Sequence, residues 1–379
     1  MAEATERRYF ARVSAGLEQV AWDDIAQRTG ARLLGVGHRR LDFAYAGPPA
    51  VLLTLRSVDD VYALVARLNG LDHTRASLPR LSKKIAALDF GSALAAVEAA
   101  RALPEYPKYR VTASHLGRRN YSRYDVEGAI EQALTPLLPW RFVLNDADEP
   151  EPELDLRILL EDDWALLGLR LGTTPLHRRA DRLAERPGAL KPPVAYCMAL
   201  LAGCAPGQTL LDPTCGAGTI LAEALALLPG GVLIGGDIDA EGLLLAQENL
   251  AACDAPVQMA APGAIINPHA ESAGVVLYQG DARAVPLPAA SVDALVCNPP
   301  WGRQVAPSAE LSALYSTLLG EAARVLVHGG RAVILTDQHA ALAAALAELP
   351  MLQLRRELAI SLFGSHPRIY VLERAASAT

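Results

Sequence analysis

From Pro193 onward the chain alternates short apolar runs with helical stretches, and four successive runs end in a tight cluster of Gly, Asp, Asn or Pro. The apolar runs predict strands at 209–211, 232–235, 275–278, 294–297, 331–335, 352–361 and 369–373, with helices filling the intervals. Such alternation predicts an α/β domain: a seven-stranded, mostly parallel sheet with helices on both faces. In a sheet of that kind ligands gather outside the carboxyl ends of the strands, where the clusters fall.

The front half reads differently. Strands are expected at 8–13, 32–36 and 40–44, a helix at 17–28, and a short helix at 48–55 after Gly-Pro-Pro. This suits a small α+β unit over 1–58. A second unit over 59–175 holds a strand at 109–114 and a helix at 125–137. That helix carries Val126, Ile130, Ala133 and Leu134 on one face, with Asp125 placed to cap it. Strands at 154–160 and 164–171 join at Glu161-Asp162-Asp163. The stretch 176–192, charged and then carrying Pro and Gly, reads as a linker to the last domain, 193–379.

Charge divides along the same line. Residues 1–191 carry 27 Lys and Arg against 26 Asp and Glu, whereas 192–379 carry 8 against 16. The basic side chains therefore belong to the front half, the side expected to touch phosphate. No run of 18 apolar residues is free of charge, and the first residues lack the apolar core of a secretory signal. A cytoplasmic protein is expected. The five cysteines form no CxxC pair and the histidines show no ligand spacing, so neither disulfides nor metal are expected.

The first cluster is Asp212-Pro213-Thr214-Cys215-Gly216-Ala217-Gly218-Thr219. Glycines at 216 and 218 let the backbone turn sharply and approach a ligand, whose carboxylate can lie over the following helix N-terminus. The second, Gly235-Gly236-Asp237-Ile238-Asp239, offers Asp237 to the two hydroxyls of a ribose and Ile238 to one face of an adenine. Asp239 suits a helix N-cap. In the third, Gln279-Gly280-Asp281-Ala282, Asp281 can accept from an adenine amino group while the Ala282 N–H donates to a ring nitrogen.

The fourth cluster, Asn298-Pro299-Pro300-Trp301-Gly302, is the most specific. An aromatic amine is a poor nucleophile because its lone pair is delocalised into the ring. Two acceptors holding its hydrogens can pull the nitrogen toward tetrahedral geometry and aim the lone pair. The side-chain oxygen of Asn298 and the carbonyl of Pro299 form such a pair, and Pro299 and Pro300 fix the backbone that presents them. Trp301 offers a flat face for a base. The dinucleotide fingerprint GxGxxG and the phosphate loop GxxxxGK[ST] are both missing.

These four motifs resemble those of Rossmann-fold (class I) methyltransferases that modify amino groups. Within them the chain resembles the THUMP-containing RNA guanine-N2 methyltransferases. Residues 117–123 (GRRNYSR), followed by Asp125-Val126, are similar to the THUMP signature; 174–179 (TPLHRR) to its closing stretch; 190–193 (LKPP) to the lead into catalysis. The resemblance implies an N-terminal ferredoxin-like domain, a THUMP domain binding tRNA, and S-adenosyl-L-methionine as cofactor. Asp212, Thr214, Cys215, Gly216, Gly218, Thr219, Asp237, Ile238, Asp281, Ala282 and Asn298 would hold that cofactor. Arg118, Arg119, Tyr121, Arg123 and Arg303 would meet RNA, Tyr121 by stacking. It further implies methylation of guanosine at the sixth nucleotide, in the acceptor stem; a monomer is expected. Guanine-N2 methylation of ribosomal RNA, adenine-N6 methylation of nucleic acid and an RNA-binding protein without catalysis are the alternatives. Residues 254–274 look longer than the usual link before the third motif, as a loop over the substrate or a surface excursion.

Overall fold

In a computed structural model the described residues are 6–144, 152–180, 182–183, 188–301, 308–362 and 364–376, without the side chains of 308–310. The chain divides into two compact units. The first comprises residues 1–13 and 22–176, the second residues 14–21 and 177–379.

The first unit is built on β1 (Arg7–Arg12), α1 (Glu18–Thr29) from Trp22 onward, β2 (Arg32–Gly37), β3 (Arg40–Tyr45) and a 3-10 turn at Pro49–Thr54. There follow β4 (Asp60–Asn69), α2 (Ser77–Ile85), α3 (Gly91–Ala100), β5 (Lys108–His115), α4 (Arg123–Leu134), β6 (Arg141–Phe142), β7 (Leu154–Glu161) and β8 (Trp164–Arg170). One eight-stranded sheet, ordered β2-β3-β1-β4-β8-β7-β5-β6, runs through the whole unit. The sequence divides it at 58/59, but β4 pairs with both β1 and β8 and joins the halves. The β7–β8 hairpin turns at Asp162, which takes a positive φ of 41°. At α4 the N-cap is Ser122; Asp125 is the third helical residue of a capping box, one turn inside the place expected for it.

The second unit contains α5 (Pro192–Ala202), β9 (Thr209–Asp212), α6 (Thr219–Ala224), β10 (Val232–Asp237), α7 (Ala240–Ala252), β11 (Val257–Met259), β12 (Gly274–Gln279), β13 (Val292–Cys297), α8 (Ser308–Val325), β14 (Leu326–Thr336), α9 (His339–Ala347), β15 (Leu352–Ala359) and β16 (Arg368–Arg374). Its sheet has eight strands, not seven, in the order β11-β12-β10-β9-β13-β14-β16-β15. The extra strand is β11, from the long link at 254–274. It pairs parallel with β12 through Val257, Gln258 and Met259, so this stretch extends the sheet edge. The sheet is mixed, because β16 runs antiparallel to β14 and β15.

The strands are apolar on both faces because both are covered. One face packs Leu210, Leu233, Leu277 and Val296 with α5, α6 and α7; the other packs Leu211, Ile234, Val276 and Leu295 with α8 and α9. Leu17 and Val20 belong to the first of these clusters, beside Ile360 and Leu362, and the Ser361 amide donates to Ala15 O at 3.2 Å. The chain leaves the central β9 in opposite directions, toward β10 on one side and β13 on the other. This switch point is where a crevice opens in such sheets.

Candidate active site

The four motifs stand at the carboxyl ends of β9, β10, β12 and β13, adjacent strands around the switch point. Gly216 and Gly218 take positive φ values of 51° and 77°. A Cβ on Gly218 would lie 3.1 Å from Ala246 Cβ, so the turn is pressed against α7. Gly218 caps α6, and Thr219 is the first helical residue. The turn is tied to its neighbours by Cys215 N donating to Gly236 O at 2.8 Å and Gly216 N to Asp237 Oδ2 at 2.8 Å. Asp237 Oδ1 accepts from Asp239 N at 2.9 Å, and Asp239 caps α7 through Glu241 N. Two backbone donors thus fix the carboxylate expected to meet a ribose. Ile238 beside it is 68% exposed, an open apolar face at the strand end.

Asp212 is only 1% exposed. Its carboxyl accepts from Thr214 N at 3.1 Å and is pushed up to about 8, first by burial and then by the nearby Asp237 carboxylate. Asp281 behaves in the opposite way. Arg283 donates to it from its backbone N at 2.9 Å and from Nε at 2.9 and 3.0 Å, which holds the carboxyl below the usual range. That partner is not evident in the sequence motif. Ala282 is buried. Cys297, at the end of β13, is buried and its thiol is raised by burial, which makes it a poor nucleophile; Cys215 is buried too.

At the fourth motif Asn298 Oδ1 is buried and has no hydrogen-bond partner. Leaving such an oxygen unpaired costs about 1–3 kcal/mol, a cost that a ligand amine would remove. Pro299 is buried and Pro300 exposed. Trp301 is half-buried, packs against the cluster that includes Leu335 and Ile369, and donates Nε1–H to Leu335 O at 3.2 Å. Gly302 and Arg303 lie outside the described residues.

The family model described as UPF0020, an RMKL-like methyltransferase domain, matches residues 179–360. The tRNA (guanine(6)-N2)-methyltransferase of Thermus thermophilus is 32% identical over 267 residues, 70% of this chain and 72% of that one. The chain belongs to the RNA guanine-N2 methyltransferases. Among its relatives, the tRNA (guanine(6)-N(2))-methyltransferase THUMP3 of Bos taurus is 26% identical over 72% of this chain and 52% of its own. The crystal structure of TrmN from Thermus thermophilus superposes with a TM-score of 0.76 at 27% identity, covering 98% of this chain and 100% of that one. The cofactor of this methyltransferase is S-adenosyl-L-methionine. The residues fit such a group: an exposed Ile238, a fixed Asp237 and a glycine turn at a helix start stand at one sheet end.

In the first unit the basic loop divides. Arg118 and Arg123 are exposed. Arg119 is committed to the loop itself, donating to Leu71 O, Asp72 O, Asp162 O and Tyr121 OH at 2.8–3.1 Å. Tyr121, expected to stack on a base, is 4% exposed and donates to Asp72 O at 3.0 Å, so it braces the loop instead. The exposed ring is Tyr124, 65% accessible, with the Arg123 guanidinium 4.7 Å from its centroid. A recess of about 400 Å³ lies beside the loop, lined by Asp72, His73, Arg118, Arg119, Asp162 and Asp163 among others.

Two further elements of the second unit escaped the sequence. Asn249, buried on α7, donates from Nδ2 to Ala217 O at 2.9 Å and accepts from Leu183 N at 2.9 Å. It ties the glycine turn to the stretch before α5. Its signal was a polar residue in the apolar stripe Leu243, Ala246, Leu250. Arg179, in the charged stretch before α5, pairs with the buried Glu223 of α6 at 2.9 Å. Among the described residues no group of three or more metal-ligating side chains occurs, and no helix is long and apolar enough to cross a membrane.

Proposed function

We propose that this methyltransferase acts on tRNA, at the exocyclic N2 of guanosine in the acceptor stem, at the sixth nucleotide. The observation that carries the reading is Asn298 Oδ1, a buried acceptor without a partner at the switch point. The T. thermophilus and B. taurus relatives that share most of the chain are named for guanosine 6 of tRNA. Residues 1–58 and 59–175 serve in this reading as ferredoxin-like and THUMP domains, 176–192 as linker and 193–379 as catalytic domain. The protein works in the cytoplasm as a monomer.

The bound cofactor supplies an electrophilic methyl group on a positive sulfur. The chain supplies position. Asp237 and Ile238 orient the adenosine end, Asp281 and the Ala282 N–H read the adenine edge, and the 214–219 turn receives the methionine end. Asn298 Oδ1 and the Pro299 carbonyl accept the two amine hydrogens, which would hold the nitrogen with its lone pair free for the methyl group that the cofactor would supply. The methylated amine loses its proton readily, so no strong base is needed. Trp301, pinned through Nε1, presents at most one face to the guanine. Arg118 and Arg123, with Arg303, take RNA phosphates.

Purified enzyme, unmodified tRNA and methyl-labelled cofactor test this, with nucleoside mass spectrometry and mapping of the label. N2-methylguanosine at the sixth nucleotide is expected. Label in N6-methyladenosine, or only in ribosomal RNA, refutes the substrate. Asn298→Ala should bind cofactor yet lose about 10²–10³-fold in turnover, the scale for removing one preorganised transition-state contact.

A further inference from the structure

The fourth motif offers four acceptors in a row: Asn298 Oδ1 and the carbonyls of Pro299, Pro300 and Trp301. The last two are already taken. Tyr315 OH donates to Pro300 O at 3.4 Å, and Gln338 Nε2 donates to Trp301 O at 2.8 Å. Trp301 Nε1 adds its bond to Leu335 O at the end of β14. None of these bonds takes Asn298 Oδ1 or the Pro299 carbonyl.

The bonds form one connected chain. Gln338 N donates to Thr336 Oγ1 at 2.9 Å, and Thr336 Oγ1 lies 2.5 Å from Tyr315 OH. The Tyr315 hydroxyl stands between the Pro300 carbonyl and Thr336 Oγ1. When Thr336 donates to Tyr315, the Tyr315 proton is left for the Pro300 carbonyl and a Thr336 lone pair for the Gln338 amide, and bonds in such a series polarise one another. Thr336 and Tyr315 are fully buried, so water does not compete for them. Gln338 Nε2 also donates to Asp337 Oδ1 at 2.7 Å, which holds the amide with its NH2 toward the motif.

We propose that Tyr315, Thr336 and Gln338 are positioning residues that select the register of the motif. By occupying the Pro300 and Trp301 carbonyls they leave Asn298 Oδ1 and the Pro299 carbonyl as the pair that meets the substrate amine. The inference rests on the reading of those two groups as the amine's acceptors. It places the determinants of the catalytic loop on α8, at the end of β14 and at the start of α9, outside all four motifs.

The test uses the full chain, an unmodified tRNA transcript and labelled S-adenosylmethionine. Thr336→Val keeps shape and removes the hydroxyl; Thr336→Ser keeps the hydroxyl; Gln338→Met keeps length and removes the donor. Thr336→Val and Gln338→Met should lower single-turnover methyl transfer by about 10–100-fold, the cost of a misplacement near 1 Å. The KM for tRNA and the calorimetric Kd for cofactor should stay within about threefold, and Thr336→Ser should restore the rate. Rates within threefold of wild type, or a Kd and KM that worsen in step with the rate, overturn the inference. If Thr336→Val fails to fold, Gln338→Met decides by the same criteria. Asn298→Ala runs alongside. A wild-type rate there overturns the acceptor reading itself; a lost rate there beside unchanged Thr336→Val and Gln338→Met rates overturns only the positioning role.

Discussion

Replacing Asp212 by Asn should make the stability of the second unit less sensitive to pH. The carboxyl is 1% exposed and pushed up to about 8 by burial. In the unfolded chain it titrates near 3.9. Below about pH 4 both states hold the proton. Between about 4 and 8 the unfolded chain has lost it while the folded chain keeps it. Wild-type stability therefore falls as pH rises through that window, at about 1.4 kcal/mol per unit. By pH 7, roughly three units into it, the loss is on the order of 4 kcal/mol. Asparagine keeps an acceptor for Thr214 N and has no proton to lose. The stability of Asp212→Asn minus wild type should therefore grow by about 1.4 kcal/mol per pH unit from 5 to 7 and level off as pH passes the folded value. Hydrogen exchange of the β9 and β10 amides, without cofactor and at constant ionic strength, reads that difference where the carboxyl sits. A difference that stays flat across this range would show that Asp212 is ionised in the folded protein, and the argument from burial would fail.

Gly218→Ala forces a side chain into a left-handed φ of 77° with its Cβ 3.1 Å from Ala246 Cβ. A loss of about 2–3 kcal/mol in urea denaturation and weaker cofactor binding in calorimetry are expected. Arg179→Met leaves Glu223, 2% exposed, without its guanidinium. Thermal melts should show a loss of about 3–5 kcal/mol, and Glu223→Leu on top of it should recover part of that. Tyr124→Ala should weaken tRNA binding by about 5–100-fold in filter binding, the scale of one base stacked on an aromatic ring. Tyr121→Phe should leave that affinity unchanged while costing about 1 kcal/mol of stability.

What the sequence revealed follows a physical line. The strands of the second unit were legible because they are apolar on both faces and end in turn residues, so no partner need be known to recognise them. The strand β4 was not, because Asp60, Arg67 and Asn69 interrupt its pattern. Asp60 is buried only because Arg170, 110 positions away, donates to it at 2.7 Å and Tyr62 at 2.9 Å. The strand β11 has three residues and exists through its pairing with β12. The contrast between Tyr121 and Tyr124 has the same origin. They stand three positions apart, and the Ser122 cap and the Asp72 carbonyl decide which ring faces water. The catalytic motif was readable, whereas the chain through Thr336 and Tyr315 joins residues 15 and 21 positions apart and left no local signature.

The second unit is not a continuous stretch of chain. Residues 14–21 belong to it, with Leu17 and Val20 in its core and Ala15 O accepting from Ser361 N. A catalytic fragment cut at residue 177 would therefore be missing a structural part. It would expose the flank of Ile360 and Leu362 and strand the Ser361 amide, although every catalytic motif remained. Dissection of this enzyme should supply residues 14–21 as a separate peptide or a fused segment, and inactivity of a bare C-terminal fragment would say nothing about where methyl transfer takes place.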